Sequence, residues 1–189
     1  LGKGNVLMNF FTKGTSEVQS HFDENTIDEL VKASYALGRT RTGALIVIER
    51  ELPLQEYIKT GITVDAVVTS QLLINIFEHN TPLHDGAVII CGNRIVSATC
   101  YLPLSSNSSV SKELGTRHRA ALGVSETTDS FTIIVSEETG RVSEASGGGL
   151  RLGLTAEQLR ENLKELMAPE QKQGRGLGRW KEWLKHVRK

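Results

Sequence analysis

The chain contains 189 residues, of which 39% are hydrophobic, 23% are charged and 5% are aromatic, and its basic and acidic residues are equal in number. This length and composition are typical of one globular domain with a full hydrophobic core. The balanced charge and the few aromatic side chains argue against a nucleic-acid-binding module. Because no run approaches the roughly 20 apolar residues of a membrane span, the chain as given is expected to be soluble.

The first predicted element is a helix. Residues 12–23 are polar and mixed, which is typical of a linker, and Thr26 and Glu29 then form a capping box. Gly38 is expected to end the helix. Its inward face is predicted to consist of Ile27, Leu30, Val31, Ser34 and Leu37.

Two strands and a second helix are predicted next. The run GALIVIE is typical of a buried strand, Gly61 marks a turn, and VDAVVT forms a second strand. The mostly apolar run over 70–77 predicts a helix.

The segment AVIICGNRIVSATCYL predicts a hairpin, with two apolar strands joined by the turn Gly92-Asn93. The simplest register pairs Cys91 with Arg94, Cys100 with Asp85, and His84 with Tyr101. In this register the two cysteines lie roughly 20 Å apart along the ladder. We therefore predict free thiols, as in a reducing compartment.

The C-terminal half combines another helix, another hairpin and a final helix. A serine-rich loop over 105–111 precedes a helix from Thr116 to about Val124, and a hairpin then turns near Thr139-Gly140. Thr155 and Gln158 form a second capping box. The final helix is expected to turn inward Leu159, Leu163 and Leu166. Strands that alternate with helices but are interrupted by hairpins predict a single α/β domain, with a mixed parallel and antiparallel sheet flanked by helices.

The basic C-terminal segment 169–189 forms a separate tail. From 170 onward it carries seven Lys or Arg against two Glu, so this stretch has a net charge of +5 and the rest of the chain −5. Four apolar side chains share one helical face, which is typical of an amphipathic helix on a membrane surface. These are Trp180, Trp183, Leu184 and Val187. The pattern equally fits a helix that packs on its own domain or on a partner.

Two short motifs indicate a nucleotide site. Asp85-Gly86-Ala87 places a carboxylate and a residue without a side chain at the mouth of an apolar strand, where backbone can approach a ligand closely. Arg117-His118-Arg119 places two guanidiniums and an imidazole at the start of a predicted helix, where the N–H groups also favour anions. Each motif alone is weak, since Asp-Gly is a common turn and basic triplets are usually solvated.

The flanking sequences are more specific. TPLHDGAVI and LGTRHRAALG resemble the two signature motifs of the diadenylate cyclase (DAC) domain, over a similarity that runs from about Thr26 to about Gly148. The segments QLLINIF and YLPLS most resemble the membrane-anchored CdaA type. This resemblance implies a domain that condenses two ATP molecules into cyclic di-AMP. It assigns 1–23 as a linker after a missing membrane anchor and 24–168 as the catalytic domain.

The resemblance also implies a role for each candidate residue. Asp85 would orient the 3′ hydroxyl and bind Mg²⁺ or Mn²⁺, with His84 and Glu137 as further metal ligands. The residues implied in catalysis are Asp85, Arg117, His118 and Arg119. Those implied in substrate binding are Gly86, Ala87, Tyr101, Leu102, Gly115, Thr116, Ser136, Glu137 and Glu138. Thr116 would cap its helix as well, and strand alternation favours Glu137 over Glu138.

Arg117 and Arg119 are two residues apart on one helix, so we expect them to contact different groups. One would hold the triphosphate of its own chain and the other that of a facing chain. Because cyclic di-AMP is two-fold symmetric, catalysis is expected to require a homodimer with an isologous interface. The alternative is an adenine-nucleotide sensor that has kept the pocket and lost turnover. An RNA-binding module is disfavoured by the composition.

Cellular context follows from the resemblance alone. CdaA-type enzymes are bacterial and work at the cytoplasmic side of the cell membrane, to which N-terminal helices anchor them. Their implied partners are a membrane-linked regulator and a phosphoglucosamine mutase, and no nucleic acid partner is expected.

Overall fold

The computed structural model describes residues 22–107 and 114–167. Over these ranges, the described part of the chain forms five helices and seven strands, in the order α1 Glu24–Arg39, β1 Ala44–Ile48, α2 Gln55–Ile58, β2 Ile62–Val67, α3 Ser70–Phe77, β3 Ala87–Cys91, β4 Arg94–Cys100, α4 Thr116–Thr127, β5 Phe131–Val135, β6 Val142–Ser146, β7 Gly149–Arg151 and α5 Ala156–Met167. The predicted linker up to residue 21 and the basic tail over 169–189 lie outside the described residues.

All seven described strands join one sheet, in the order β2-β4-β3-β1-β5-β6-β7. The central strands β1 and β3 are parallel, and every other neighbouring pair among these seven is antiparallel. The predicted single α/β domain with a mixed sheet is therefore confirmed.

Helices cover both faces of the sheet. The side chains of β1 alternate between two cores: Ala44, Ile46 and Ile48 join one, while Leu45 and Val47 join the other. Helices α1, α3 and α5 pack on the first core, and α2 and α4 pack on the second. Because β1 is buried on both faces, its apolar run shows no alternation in the sequence.

Helix α1 begins before the predicted capping box. Its N-cap is Asp23, whose side chain accepts a hydrogen bond from the Thr26 backbone N–H, so Thr26 is not the cap. The Thr26 hydroxyl donates instead to Asn93 in the β3–β4 turn, which also bonds Asp23. Phe22 is buried, so it and Asp23 belong to the domain rather than to the linker. The predicted inward face is confirmed.

The β3–β4 hairpin has the predicted turn but not the predicted register throughout. Cys91 faces Arg94 as expected, but two irregularities shift the pairing, so that Cys100 faces Ala87 instead of Asp85. The predicted pairing of His84 with Tyr101 is also wrong, because both residues lie outside the two strands. Both cysteines are free, as predicted, and burial raises the pKa of each thiol.

Of the two other predicted helix caps, one is confirmed and one is wrong. The Thr155 and Gln158 capping box is confirmed, since each backbone N–H donates to the other side chain. The cap of α4, however, is Gly115, and Thr116 is already helical. Sequence analysis missed α2 and β7, which have only four and three residues and therefore too little periodicity to detect.

Candidate active site

Chain direction brings the predicted site residues to one edge of the sheet. Since β1 and β3 are parallel and both β4 and β5 run against them, the amino ends of the first pair meet the carboxyl ends of the second. Ala44 pairs with Val135, and Ala87 pairs with Cys100. The residues just before β3 and those just after β4 and β5 therefore lie along the same edge.

The start of α4 closes one side of this edge. Arg117, in the first turn of the helix, makes an ion pair with Glu137, with 2.6 Å between Nη1 and Oε2. The Arg117 side chain is 22% exposed, so the pair is partly shielded from solvent. Since α4 packs on β5 and β6, the helix and the β5–β6 turn hold each other in place.

A cavity of about 280 Å³ lies between α4 and the β5–β6 turn. Seven predicted site residues line it: Gly115, Thr116, Arg117, His118, Ser136, Glu137 and Glu138. Six other residues complete the lining: Leu114, Val135, Thr139, Arg141, Ser143 and Leu152. These six were not predicted as site residues. Arg141 could have been found by asking which charged side chain directly follows the predicted Thr139-Gly140 turn.

His118 is the buried member of the basic triplet, with 7% of its surface exposed. Burial lowers the pKa of its imidazole, and the nearby Glu138 partly opposes this effect. Glu137 pairs with Arg117 while Glu138 influences His118, so both glutamates act on α4. The expectation that strand alternation would turn them apart is wrong, because both follow the end of β5.

Backbone hydrogen bonds hold the acidic turn. The Gly140 N–H donates to the Ser136 carbonyl at 2.8 Å, and the Ser136 N–H donates to the Arg141 carbonyl at 3.0 Å. The Ser136 hydroxyl oxygen accepts from the Thr139 N–H at 3.2 Å. These bonds leave the Ser136 hydroxyl hydrogen available to a ligand in the cavity.

Arg119 contacts a different group from Arg117, as expected. Its Nη2 donates to the Ser105 carbonyl at 3.1 Å, and the Ser105 N–H donates to the Arg119 carbonyl at 2.9 Å. Ser105 also donates to Glu126, farther along α4, at 2.6 Å. The segment after β4 is therefore attached to the same helix that carries the basic triplet.

On the other side of the edge, Asp85 is exposed at the end of an irregular segment. Its neighbour His84 is half-buried and hydrogen-bonds the Thr81 carbonyl through Nδ1 at 2.6 Å. That bond assigns the proton to Nδ1 and leaves the Nε2 lone pair free to accept or to ligate.

Gly86 has a φ of 112°, a conformation that residues with side chains rarely adopt. A Cβ at this position would lie 2.7 Å from the carbonyl carbon of Thr99 and 2.8 Å from its Cα. Thr99 itself has a φ of 56°. The close approach of two backbones therefore requires glycine at this position.

Tyr101 follows β4 and is 78% exposed, the largest exposure among the large apolar and aromatic side chains in the described residues that stand out at the surface. Its N–H donates to the Thr60 hydroxyl at 2.9 Å, which fixes the backbone while leaving the ring in solvent. Leu102 is half-buried against the core beneath α4. An exposed ring beside an apolar side chain is a surface on which a base can stack.

The predicted metal ligands are not gathered around one point in this chain. The described residues contain no group of three or more His, Cys, Asp or Glu side chains placed to hold a metal ion. Asp85 offers exposed carboxylate oxygens, whereas Glu137 is engaged by Arg117. Hard oxygen donors of this kind suit Mg²⁺ or Mn²⁺, but a full set of ligands would need donors from outside these residues.

Comparisons with known proteins agree with the motifs. Residues 31–150 match the family described as DAC, DisA bacterial checkpoint controller nucleotide-binding. The chain is 53% identical over 164 residues to the cyclic di-AMP synthase CdaA of Bacillus subtilis, covering 87% of this chain and 58% of that protein. It is 49% identical over 182 residues to a diadenylate cyclase of Listeria monocytogenes, covering 96% of this chain and 65% of that protein. The chain thus spans about three fifths of the length of these relatives.

Solved structures share the fold. A double mutant of DacA from Staphylococcus aureus superimposes with a TM-score of 0.75 and 49% identity, over 77% of this chain and 97% of that one. A Bacillus cereus structure, described as a hypothetical membrane spanning protein, gives a TM-score of 0.68 and 43% identity, over 73% of this chain and 67% of that one. Within residues 22–107 and 114–167, no helix is both long enough and apolar enough to cross a bilayer.

Proposed function

The chain belongs to the DAC family of nucleotide-binding domains, and from this premise we propose that it is a diadenylate cyclase that condenses two ATP molecules into cyclic di-AMP and two pyrophosphates. The observation that carries the proposal is the meeting of three elements at one sheet edge. Asp85 and Gly86 precede β3, which begins at Ala87. Tyr101 follows β4, and the acidic turn after β5 pairs with Arg117 of α4.

In this proposal, different parts of ATP bind along different parts of the sheet edge. The exposed ring of Tyr101, with Leu102 beside it, stacks on the adenine. The cavity between α4 and the β5–β6 turn takes the phosphates, since Arg117, Ser136 and the N-terminal N–H groups of α4 line it. Gly86 and Ala87 would border the ribose by family resemblance, although within this chain the missing side chain of Gly86 makes room for the Thr99 backbone.

The chemistry is a paired displacement at phosphorus. The 3′ oxygen of each ATP forms a bond to the α-phosphorus of the other while the bond from that phosphorus to the β-phosphate oxygen breaks. Each hydroxyl proton passes to an Asp85 carboxylate, and each pyrophosphate leaves as an anion. Arg117 stabilises the charge that develops on the phosphate in its own cavity, and the exposed Arg119 would do so for the phosphate held by the facing chain. His118 lines the same cavity, and burial lowers the pKa of its imidazole, which favours the neutral form.

We propose Mg²⁺ or Mn²⁺ as the cofactor. Because Asp85, His84 and Glu137 do not surround one point within a single chain, each would ligate the ion only together with phosphate oxygens of bound ATP. The cation would neutralise phosphate charge and lower the pKa of the 3′ hydroxyl. Because Glu137 is paired with Arg117 at 2.6 Å, this carboxylate must exchange its partner before it can ligate. A phosphate group provides that exchange, since it can take over the Arg117 guanidinium.

Two chains are required for turnover. Each chain presents one exposed Asp85 and one phosphate cavity, and the product is two-fold symmetric, so an isologous dimer that brings two such edges face to face completes both reacting centres. A monomer would bind ATP without joining it to a second molecule.

We place the full-length protein at the cytoplasmic face of a bacterial membrane, anchored by N-terminal helices. The greater length of the relatives and the description of the Bacillus cereus structure as membrane spanning support this assignment. A membrane-linked regulator and a phosphoglucosamine mutase are proposed as partners on the strength of family membership alone.

The first test is to incubate the purified chain with ATP and either Mg²⁺ or Mn²⁺ and to measure cyclic di-AMP and pyrophosphate by mass spectrometry, with the oligomeric state determined at the same concentration. We expect two pyrophosphates per cyclic di-AMP, and a rate that rises more steeply than linearly with enzyme concentration where dimers are scarce. ATP binding and dimers without product under both metals would favour the nucleotide sensor instead.

A further inference from the structure

Gly43 lies directly before β1, in contact with the ion pair that closes the phosphate cavity. A Cβ at this position would lie 2.5 Å from Nη1 and 2.6 Å from Cζ of Arg117, and 3.0 Å from Oε2 of Glu137. The φ of Gly43 is outside the left-handed region, so its backbone would accept any residue. Space, and not backbone conformation, is therefore what requires glycine here.

We propose that Gly43 is a positioning residue, whose missing side chain lets the Arg117 guanidinium sit against the start of β1 and keeps it aligned with Glu137 and the phosphate cavity. The biological meaning of this inference rests on the proposed function, whereas the close contact of Gly43 with Arg117 is independent of it. Nothing in the two signature motifs includes Gly43, which lies 74 residues before Arg117 in the chain.

The position of the guanidinium depends on three separate elements. Arg117 comes from the first turn of α4, Glu137 from the β5–β6 turn, and Gly43 from the loop between α1 and β1. Gly43 is buried and the Arg117 side chain is mostly buried, so the guanidinium is confined between Glu137 on one side and backbone on another. A methyl group at Gly43 would push the guanidinium toward the cavity and separate it from Glu137.

The substitution should displace a side chain and leave the fold in place. The atoms that a methyl group would meet are the far ends of two flexible side chains, which can move without backbone change. Gly38, in the same region, differs in this respect. A Cβ there would lie 2.5 Å from the Gly140 carbonyl oxygen, so backbone itself would have to shift. Gly38→Ala is therefore the matched structural control.

The test is a double-mutant cycle that combines Gly43→Ala with Arg117→Ala. The probe is 3′-deoxy-ATP with Mg²⁺, because this nucleotide lacks the attacking hydroxyl and cannot condense, and its dissociation constant is measured by calorimetry. We expect Gly43→Ala to weaken binding about tenfold in the parent and to leave it unchanged in Arg117→Ala, where no guanidinium is displaced. In the parent, kcat/KM for ATP should fall roughly 10- to 100-fold, with little change in melting temperature.

Gly38→Ala should instead lower the melting temperature, because its Cβ meets backbone rather than the ends of flexible side chains. Equal weakening by Gly43→Ala in both backgrounds, or full activity of Gly43→Ala, would overturn the positioning role. If the parent binds 3′-deoxy-ATP but makes no cyclic di-AMP from ATP, the proposed function fails while the cycle still decides the role of Gly43. A parent that does not bind the nucleotide at all would overturn both.

Discussion

The two halves of the sheet edge differ in how completely one chain builds them. On the α4 side, Arg117 is paired with Glu137, His118 is buried, and a cavity of about 280 Å³ is already formed. On the β3 side, Asp85 and Tyr101 are exposed, with no side-chain hydrogen bond or ion pair to the described residues. The first half is held by the fold itself, whereas the second half offers groups for a ligand or a second chain to engage.

This contrast has a consequence for mutations. Changes to the exposed side chains of the β3 side, Asp85 and Tyr101, should reduce activity without lowering stability, because few contacts are lost in the free protein. Changes on the α4 side should lower both activity and stability, because the same contacts hold the fold and shape the cavity. Activity and stability measured side by side in the same variants distinguish the two sides.

Asp85→Asn should lower kcat by about 100-fold or more, since it would remove the proposed proton acceptor and the proposed metal ligand. The melting temperature should change little, because Asp85 is exposed. Initial rates of cyclic di-AMP formation and a thermal unfolding scan measure the two quantities. Glu51→Gln, at another exposed acidic position, is the matched control and should keep parental activity. A large loss of stability in Asp85→Asn would contradict the division.

Gly86→Ala should destabilise the fold although it is adjacent to Asp85. The added Cβ would lie 2.7 Å from Thr99 backbone at a φ of 112°, which costs about 1–3 kcal/mol of unfolding free energy. Urea denaturation measures this cost. If the stability of Gly86→Ala equals that of the parent, the close approach to the Thr99 backbone is not a constraint. Changes at Gly86 would then resemble those at Asp85 and Tyr101, with no effect on stability.

Tyr101→Ala should raise KM for ATP roughly tenfold through lost stacking, while kcat falls less. Because the ring is 78% exposed, unfolding free energy should be unaffected. Tyr101→Phe keeps the ring and should retain most of the affinity, so the pair separates stacking from hydroxyl chemistry. Equal loss in both variants would show that the hydroxyl, and not the ring, carries the interaction.

The smallest expected effect is a pH dependence from His118. Burial lowers the pKa of its imidazole below the ordinary value of 6.5, so the unfolded chain binds the proton more readily than the folded one. Its contribution to stability is therefore complete above about pH 6.5 and is lost as pH falls through and below that value. Urea denaturation between about pH 5.5 and about pH 7.5 measures the slope.

His118→Asn should flatten the slope that His118 contributes. His79→Asn, at an exposed histidine outside the cavity, should leave that slope as it is in the parent. The prediction is wrong if His79→Asn and His118→Asn flatten the profile equally.

Much of the fold could be predicted because its determinants are local. The apolar runs over β1 and β5, the Gly92-Asn93 turn, and the Thr155 and Gln158 capping box all act within a few residues, and each lies where the sequence indicates. The short elements α2 and β7 were missed, since their few residues gain stability from neighbours rather than from their own pattern.

Predictions that depended on long-range contacts were less successful. The β3–β4 register shifts because of two irregularities, and Asp23 replaces Thr26 as the cap of α1, held there by Asn93 seventy residues away. Such bulges and distant bonds leave no local signature. For the same reason, nothing in the sequence indicated that Gly43 contacts Arg117.

The sequence by itself therefore determined the mixed α/β domain, the family, and the types of residue available for nucleotide chemistry, because these depend on local periodicity and on specific motifs. Only the tertiary structure decided which of those residues meet. Strand directions brought the ends of β1, β3, β4 and β5 to one edge, and the packing of α4 on β5 joined Arg117 to Glu137. Asp85 and Tyr101, on the β3 side of that edge, are exposed to solvent. Distances between side chains far apart in the chain arise from the packing of whole elements, which no short segment of sequence encodes.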